Sequence, residues 1–351
     1  METTTLYALI SPIIVAGAGG HMGLPYVQAL LEIGVPKEKI IAIEPNEDRR
    51  RQVGTLGVVT FPAVAEAAQQ APTTAIVAVP SPLHRKVLEE LAAIGVKNAF
   101  TEKPLVLHTG ELEGIERLEP SIYVGYLINF SPAMDQLWAF MKERDLECGQ
   151  TLAMWGKNWC AVDRPIGPDL EEELVHPLLA SLRLIGYEQV TDIQRQVIGT
   201  WVPYVQPEIA THGVEEQFGY NQKPNDTSVA NFNVKVNNGR LVPISILSSF
   251  NFFEQRRTLD VTLMHKGNAF PDFKACLEFD AGSGATRADR IRIINARTDE
   301  VVLQNDVSSN KLLIQLRAAL DMFAGGESDP RLVGLKEASD IVRLLDGALD
   351  Q

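Results

Sequence analysis

Lys103 stands at the end of an apolar run, directly before a proline. The run lies in the segment 98–105, and Pro104 follows the lysine. Because proline has no N–H donor and fixes its own φ, we expect Pro104 to end a strand and to hold Lys103 at the mouth of that strand. Open α/β sheets bind ligands outside the carboxyl ends of their strands. A lysine there could transfer a proton to or from a bound ligand; the alternative is a surface lysine beside a turn.

A glycine-rich turn precedes Lys103 in the chain and changes its interpretation. The turn follows a short apolar run at 13–16, typical of a buried strand, and leads into a helical pattern at 24–31. A strand, a tight turn and a helix N-terminus present free backbone N–H groups and the positive end of a helix dipole, which suit a pyrophosphate. The spacing departs from the plain GxGxxG pattern. We predict a dinucleotide site formed by Gly17, Gly19, Gly20, His21, Met22 and Gly23.

A second apolar run at 40–43 ends in Glu44. This position lies about 20 residues past the turn, where an acidic side chain is expected to meet the ribose hydroxyls of a dinucleotide. Glu44 would repel a 2′-phosphate, so it favours NAD over NADP. Residues 49–51 are three arginines that could accommodate that phosphate, so NADP stays open. The alternative for these arginines is a solvated helix face.

Composition limits the class of protein. A chain of 351 residues with 45% hydrophobic content is long enough for two domains with their own cores. The formal net charge is −13 and no basic cluster exists beyond the three arginines, which makes nucleic acid and anionic membranes poor partners. Three cysteines without CxxC spacing imply neither a disulfide framework nor a zinc site. We expect a protein of the reducing cytoplasm.

The N-terminal apolar stretch at 6–18 could imitate a secretory signal. No basic residue precedes Lys37, so the stretch lacks the positively charged region of a signal and is interpreted as the first strand. No run approaches the roughly 18 apolar residues that a membrane span requires.

The order of elements predicts the fold class. Strand and helix patterns alternate as far as residue 127, which is typical of a doubly wound parallel sheet. Beyond residue 130, helical patterns at 132–143 and 177–185 are followed by alternating strand patterns, with a hairpin turn at 237–239. We predict an α/β protein: a Rossmann domain at 1–127, an α+β domain with a large, mostly antiparallel sheet at 128–330, and a C-terminal helix at 331–351 packing on both domains.

Several motifs together resemble one known family. They are the segment 79–84, the triplet 102–104, the segment 124–126, a strand between 226 and 239, and the segment 334–338. The chain resembles the family of glucose-fructose oxidoreductase, inositol dehydrogenase and rhizopine-catabolism proteins. The resemblance implies an NAD(P)-dependent dehydrogenase or reductase acting on a small molecule. It also implies a place beside the cofactor for Pro80, Ser81, His84 and Glu102.

The family carries a catalytic Asp-x-x-x-His motif, and the match here runs from Glu172 to His176. Residues four apart share a helix face, but Pro177 requires the helix to begin only a few residues earlier, so Glu172 would cap or precede it. The resemblance implies that Lys103 or His176 handles the substrate hydroxyl proton while a hydride moves to or from nicotinamide, with Glu172 orienting His176. The alternative for His176 is a hydrogen-bonded histidine near a domain interface.

Departures from the family pattern bear on the substrate. Leu127, Ile128 and Leu179 stand where the family often has polar residues, which predicts a less polar pocket. The segment 155–164 corresponds to one that often lines the substrate cleft in the family. Its aromatic rings could stack on a substrate and its basic side chains could bind an anion, which favours a carboxylated or amino-modified sugar, or another carbonyl compound. For the tryptophans the alternative is core packing. The substrate residues implied in this way are Tyr126, Trp155, Lys157, Asn158 and Arg164.

Two other functions remain open at this point. The turn also looks like that of dihydrodipicolinate reductases, although the histidine-rich stretch of that family is absent. A non-catalytic nucleotide sensor of the same fold is the other alternative. Family members commonly pair through the exposed face of the second-domain sheet, so we expect a homodimer or homotetramer.

Overall fold

The computed structural model describes residue 7 and the ranges 10–158, 172–201, 227–249, 251–281 and 288–346. The chain divides into two compact units. Unit 1 comprises Met1–Leu127 and Asn310–Val342, and unit 2 comprises Ile128–Ser309 and Arg343–Gln351. Arg164 lies outside the described residues.

Unit 1 contains a parallel sheet with an antiparallel strand, Val333–Gly334, at one edge. The spatial order of its parallel strands is 3-2-1-4-5-6, which is the Rossmann order, and the predicted fold class of this domain is confirmed. Buried, β-branched strands fit a sheet covered on both faces. The parallel strands are β1 (Ile13–Ala16), β2 (Ile40–Ile43), β3 (Val59–Phe61), β4 (Thr74–Val77), β5 (Asn98–Glu102) and β6 (Ser121–Gly125).

Eight α-helices lie within the described residues. Single-turn 3-10 segments also occur, among them Ser81–Leu83, and Val64–Gln70 forms a longer 3-10 helix. The α-helices are α1 (Gly23–Ile33), α2 (Glu47–Gly54), α3 (His84–Ala93), α4 (Leu112–Glu116), α5 (Pro132–Glu143), α6 (Val175–Ile185), α7 (Lys311–Phe323) and α8 (Leu335–Asp346). None of them combines the length and apolar composition needed to cross a bilayer.

Helix α7 lies with unit 1, whereas the sequence analysis assigned residues 310–330 to the second domain. The helix buries Leu316, Ala319 and Leu320 and packs on α1. Tyr7 adds a hydrogen bond to its Asp321, with 3.3 Å between the two oxygens. Burial of one apolar stripe against α1 therefore ties this late segment to the nucleotide-binding unit.

Unit 2 contains an eight-stranded sheet in the spatial order 14-13-12-11-7-10-9-8. All neighbouring pairs are antiparallel except the parallel pair of strands 7 and 10, so the predicted large, mostly antiparallel sheet is confirmed. The strands are β7 (Leu146–Asn158), β8 (Val190–Trp201), β9 (Thr227–Val236), β10 (Leu241–Ser249), β11 (Asn251–His265), β12 (Phe273–Ala281), β13 (Ala288–Asn295) and β14 (Val301–Val307).

One face of this sheet is covered by α5 and α6. Helix α6 packs on β7 and β10, and Phe140 of α5 makes an edge contact with Phe273 of β12, with 5.2 Å between ring centroids. The described part of the opposite face is open and carries a groove lined by mixed residues, including Leu152, Asp260 and Cys276. Leu152 is 46% exposed there.

Candidate active site

The glycine turn connects β1 to α1 and is held by its own packing. Gly17 has φ +77°, a left-handed conformation that favours glycine. A Cβ on Gly23 would overlap the Gly17 carbonyl oxygen, and one on Gly19 would lie 2.8 Å from a Glu44 carboxylate oxygen. The turn must therefore keep glycine at these positions to pass close to α1 and to the end of β2.

The N-terminus of α1 fits a bound pyrophosphate. Met22 occupies the N-cap without a side-chain hydrogen bond, and the first turn contains no acidic residue. The first N–H groups of a helix have no partner within the helix, and the helix dipole favours negative charge there. Neither a capping side chain nor a carboxylate competes for these donors, so Met22 and Gly23 could hold diphosphate oxygens. The sequence-predicted turn residues lie together at this end.

Glu44 lies at the end of β2, against the turn. Its side chain is 5% exposed, and its two carboxylate oxygens accept hydrogen bonds of 3.0 Å from the backbone N–H groups of Gly19 and Asn46. The acidic group therefore stands beside the glycine turn, as a ribose-binding residue requires. Each carboxylate oxygen can accept a further hydrogen bond, so these contacts leave capacity for a sugar hydroxyl.

The three arginines that follow Glu44 differ in their surroundings. Arg50 donates to the carbonyl oxygens of Glu44 and Pro45, and Arg51 pairs with acidic residues of its own helix. Arg49 is exposed, and the described residues offer its guanidinium no hydrogen bond or ion pair. The solvated-helix interpretation therefore fits Arg51 best, and Arg49 is the arginine that could face a 2′-phosphate.

Lys103 follows β5 directly and is half-buried, at the carboxyl end of a strand that lies between β4 and β6. The preceding Glu102 is 9% exposed and accepts a 2.5 Å hydrogen bond from the hydroxyl of Tyr26 on α1. Burial raises the pKa of the Glu102 carboxyl, and the Tyr26 hydrogen bond acts in the opposite direction. Glu102 thus anchors the end of β5 to α1, and in this way it helps to position the adjacent Lys103.

His84 begins α3 and joins two strand ends. Its ring is 1% exposed, with Nδ1 2.8 Å from the carbonyl oxygen of Pro104 and Nε2 3.0 Å from that of Val79. Val79 follows β4, and Pro104 follows Lys103, so the ring links the two segments that leave the carboxyl ends of β4 and β5. Pro80 and Ser81 lie in the same connection, at the start of the 3-10 turn before α3.

His176 lies in the first turn of α6. The helix begins at Val175 with Leu174 at its N-cap, as the position of Pro177 predicted. Glu172 precedes this helix, so the shared-face argument for the Glu172 and His176 pair does not apply within α6. An orienting role for Glu172 stays a prediction.

The His176 imidazole is stacked on the Trp155 indole of β7, with 5.5 Å between ring centroids and 29° between ring planes. Trp155 is 3% exposed and also contacts Phe279, at 5.6 Å. The Arg257 guanidinium lies 5.4 Å from the centroid of the same indole and donates to Asp280 at 2.6 Å. Trp155 is thus packed in the domain and directly supports His176.

The other substrate candidates are placed as follows. Tyr126 follows β6 and is 1% exposed. Lys157 and Asn158 belong to the last part of β7, and their side chains lie outside the described part of the structure. Substrate contacts for these residues remain predictions.

Sequence analysis missed Tyr26 and Arg257. Tyr26 is the polar exception on the buried face of α1, and a buried phenol needs a hydrogen-bond partner. Arg257 lies two residues before the buried Leu259, at an inward position of β11. A charged residue in the inward phase of a strand is the signal that could have identified it.

The Rossmann order, the glycine turn and Glu44 together have the form of a dinucleotide-binding domain. Residues 12–122 match the model of the oxidoreductase family with an NAD-binding Rossmann fold, GFO_IDH_MocA. Over these residues the nucleotide-binding domain is similar to that family, so the resemblance noted in the sequence is confirmed for this part of the chain. The predicted enzyme class, an NAD(P)-dependent oxidoreductase, is confirmed with it.

Solved structures share the whole fold at low identity. A UDP-N-acetylglucosamine 3-dehydrogenase from Acidithiobacillus ferrooxidans has TM-score 0.66 and 16% identity, over 95% of this chain and 94% of that one. A 3-ketoreductase from Actinomadura kijaniata, solved with NADP and TDP-benzene, has TM-score 0.72 and 12% identity, over 95% of both chains. A dehydrogenase from Clostridium difficile has TM-score 0.67 and 13% identity, over 96% and 98%. No curated protein matches the sequence significantly.

Proposed function

We propose that the protein transfers a hydride between a nicotinamide cofactor and a carbinol or carbonyl carbon of a sugar-like small molecule. The observation that carries the proposal is the uncapped N-terminus of α1 beside the buried Glu44 carboxylate, within a domain that matches an NAD-binding oxidoreductase family. Proteins with the same fold are described as a UDP-sugar 3-dehydrogenase and a 3-ketoreductase, which supports a sugar-like substrate.

Lys103 and His176 are the proposed proton-transfer groups. The bound nicotinamide supplies the hydride chemistry, and oxidation of a hydroxyl also requires an acceptor for the hydroxyl proton. Lys103 is held at the end of β5 by Glu102 and by the segment that His84 contacts. His176 is held by the stack on Trp155, which fixes the plane of its ring. The held strand end at Lys103 and the fixed ring of His176 support a proton-transfer role for the two residues.

NAD is the proposed preferred cofactor. The Glu44 carboxylate stands where a 2′-phosphate would add negative charge, and NAD offers hydroxyls in that place. Arg49 provides the one nearby guanidinium that the described residues leave unpaired, so NADP binds more weakly but measurably.

Cofactor binding followed by a substrate panel tests the proposal. NADH and NADPH are titrated separately with the full chain, and binding is followed by the fluorescence of the nucleotide. Oxidation and reduction of neutral, amino and carboxylated sugars and of inositols are then measured. The expected result is saturable binding that is tighter for NADH, and turnover on at least one sugar-like compound. Absence of binding by both nucleotides contradicts the proposal. Binding without turnover on any compound favours the nucleotide-sensor alternative.

The open face of the unit 2 sheet is the proposed contact between copies of the chain. The face carries the exposed Leu152 beside a groove that continues over β11 and β12. Exposed apolar area on an otherwise mixed surface is typical of an association site. Leu152→Glu should shift the mass measured by light scattering toward the monomer, while Phe270→Glu, at an exposed loop position, should not. A wild-type monomer would contradict this assignment.

A further inference from the structure

The covered face of the unit 2 sheet changes from apolar to polar at one row. Strand pairing defines rows of side chains that cross the sheet on the face below α6. One interior row is entirely apolar and consists of Ala230, Ile246, Ala153, Leu259, Leu277 and Ile291. The next row, one step toward the end of β7, contains Ser228, Ser248, Trp155 and Arg257. The position that stacks on His176 therefore belongs to a row with polar residues, next to an entirely apolar row of the same face.

Three polar groups in this row find no hydrogen-bond partner among the described residues. The Trp155 Nε1 atom, the Arg257 Nε atom and the Ser228 hydroxyl oxygen are buried and have no hydrogen-bond partner. Trp155 and Ser228 are at least nine-tenths buried, at 3% and 0% exposure. A buried polar group without a partner is costly, and native structures rarely retain several in one place unless water or a ligand completes them. Trp155 and Arg257 lie on adjacent strands, so their two unpaired N–H groups indicate a missing oxygen acceptor.

We propose that Trp155 and Arg257 form a subsite for a carboxylate group of the substrate. The indole N–H and the guanidinium N–H donate to the two carboxylate oxygens, and the Ser228 hydroxyl lies further along the same row. The inference rests on the proposed function, and it specifies the substrate class as a sugar acid or a similar hydroxy acid.

The charges of the row favour a carboxylate over a phosphate. Arg257 is the guanidinium of this row, and its Nη1 already donates to Asp280 at 2.6 Å. Asp289 lies near the same strand end and accepts a hydrogen bond from the Asp280 backbone N–H. Among the described residues, a phosphate dianion would bring two negative charges beside two aspartates and one cation. A carboxylate brings one charge and two acceptor oxygens, which match the two free N–H donors.

The location beside His176 gives this subsite a role in orientation. The imidazole is stacked on the same indole whose N–H lacks an acceptor. A carboxylate held at Trp155 and Arg257 would direct the rest of a hydroxy acid toward the imidazole. Trp155→Phe keeps an aromatic ring for the stack and removes the N–H donor, so it separates the two functions of this side chain.

Indole resonances of the full chain with saturating NADH test the subsite. The chain has four tryptophans, and the Trp155 indole N–H signal is assigned by its absence in Trp155→Phe. Glucuronate, glucose and glucose 6-phosphate are titrated as probes. We expect glucuronate to shift the Trp155 signal with saturation and the other two to leave it unchanged. Arg257→Gln should weaken glucuronate binding about tenfold or more, because a charge-assisted hydrogen bond is lost.

The control variant is Arg297→Gln, which changes an exposed arginine of the same domain that also faces an aspartate. It should bind glucuronate like the wild type. The subsite is overturned if glucuronate does not shift the Trp155 signal, or if glucose or glucose 6-phosphate shifts it equally. It is also overturned if the Arg257 and Arg297 variants bind glucuronate equally. If glucuronate shifts the Trp155 signal but no compound is oxidised or reduced, the subsite is supported and the proposed reaction is contradicted. If neutral sugars are turned over and Arg257→Gln does not change their rate, the reaction is supported and the subsite is contradicted.

Discussion

Tyr26→Phe is the substitution that most directly probes how the Lys103 strand end is held. The Tyr26 hydroxyl donates a 2.5 Å hydrogen bond to the buried Glu102 carboxylate, and Gln315 contacts the same hydroxyl at 3.4 Å. Phenylalanine keeps the ring and its edge contact with Phe100, whose centroid is 6.1 Å away. The change therefore removes one donor without opening a cavity larger than a hydroxyl group.

The magnitude follows from the burial of Glu102. Loss of a hydrogen bond to a buried charged group costs about 1.5–3 kcal/mol of unfolding free energy. Burial raises the folded-state pKa of the Glu102 carboxyl, so its contribution to stability is fully present below the unfolded-state pKa and is lost as the pH rises through the folded-state pKa. The Tyr26 hydrogen bond lowers that pKa, so its removal raises the pKa further. The unfolding free energy that Tyr26→Phe loses relative to the wild type should therefore increase with pH.

Urea denaturation at an acidic and an alkaline pH, followed by circular dichroism, measures this effect. The matched control is Tyr123→Phe, since the described residues provide no hydrogen-bond partner for the Tyr123 hydroxyl and its ring packs on Phe323. The control should change the unfolding free energy by less than about 0.5 kcal/mol. The reasoning is refuted if Tyr26→Phe loses no more unfolding free energy than the control. It is also refuted if the loss is greater at the acidic pH than at the alkaline pH.

Three further predictions concern the turn, the cofactor and a surface cluster. Gly23→Ala should cost about 3 kcal/mol or more in a denaturation experiment because its Cβ overlaps a backbone carbonyl, while Gly110→Ala, with open space around it, should not; equal costs would contradict the packing. Glu44→Ser should lower the NADH over NADPH affinity ratio about tenfold in a fluorescence titration, and an unchanged ratio would remove Glu44 from the ribose site. Hydrogen bonds from His265 lower the pKa of Asp272 to about 2, so its stabilisation is present above the unfolded-state pKa and lost as the pH falls through about 2; Asp272→Asn should destabilise the protein at pH 7 and have little effect near pH 2, as thermal unfolding would show.

The nucleotide-binding domain was largely predictable because its signals are local. Strands β1 and β2 are short apolar runs, and the glycine turn and Glu44 follow them directly. The Lys103 position could be predicted in the same way, from a strand that ends at a proline. The Tyr26 contact with Glu102 was not predictable, since it joins residues far apart in the chain through the packing of α1 on the sheet.

The second domain was less predictable because its strands combine exposed and buried apolar residues. In β7 the apolar Leu152 faces outward, and a register shift against β11 interrupts the period of two, so the strand gives no clean alternation. Strand β14 is largely exposed and has no buried phase to detect. Strand β13 does alternate, with Ile291 and Ile293 buried, and could have been recognised.

The function of the polar row could not be predicted because it depends on register. Nothing in the local sequence indicates that Ser228, Trp155 and Arg257 occupy one row, since they belong to three separate strands. The stack of His176 on Trp155 likewise depends on how α6 packs on the sheet. Side chains that converge through tertiary packing leave no periodic signal in the chain.

Turnover and cofactor affinity measured together in Lys103→Met and His176→Asn test the central claim most directly. Each variant is assayed with a substrate from the sugar panel, and its NADH dissociation constant is measured in parallel. We predict that turnover falls about a hundredfold or more in each variant, as expected for loss of a general acid or base, while NADH affinity stays within about twofold. Turnover at the wild-type rate in both variants would contradict the assignment of these two side chains to proton transfer.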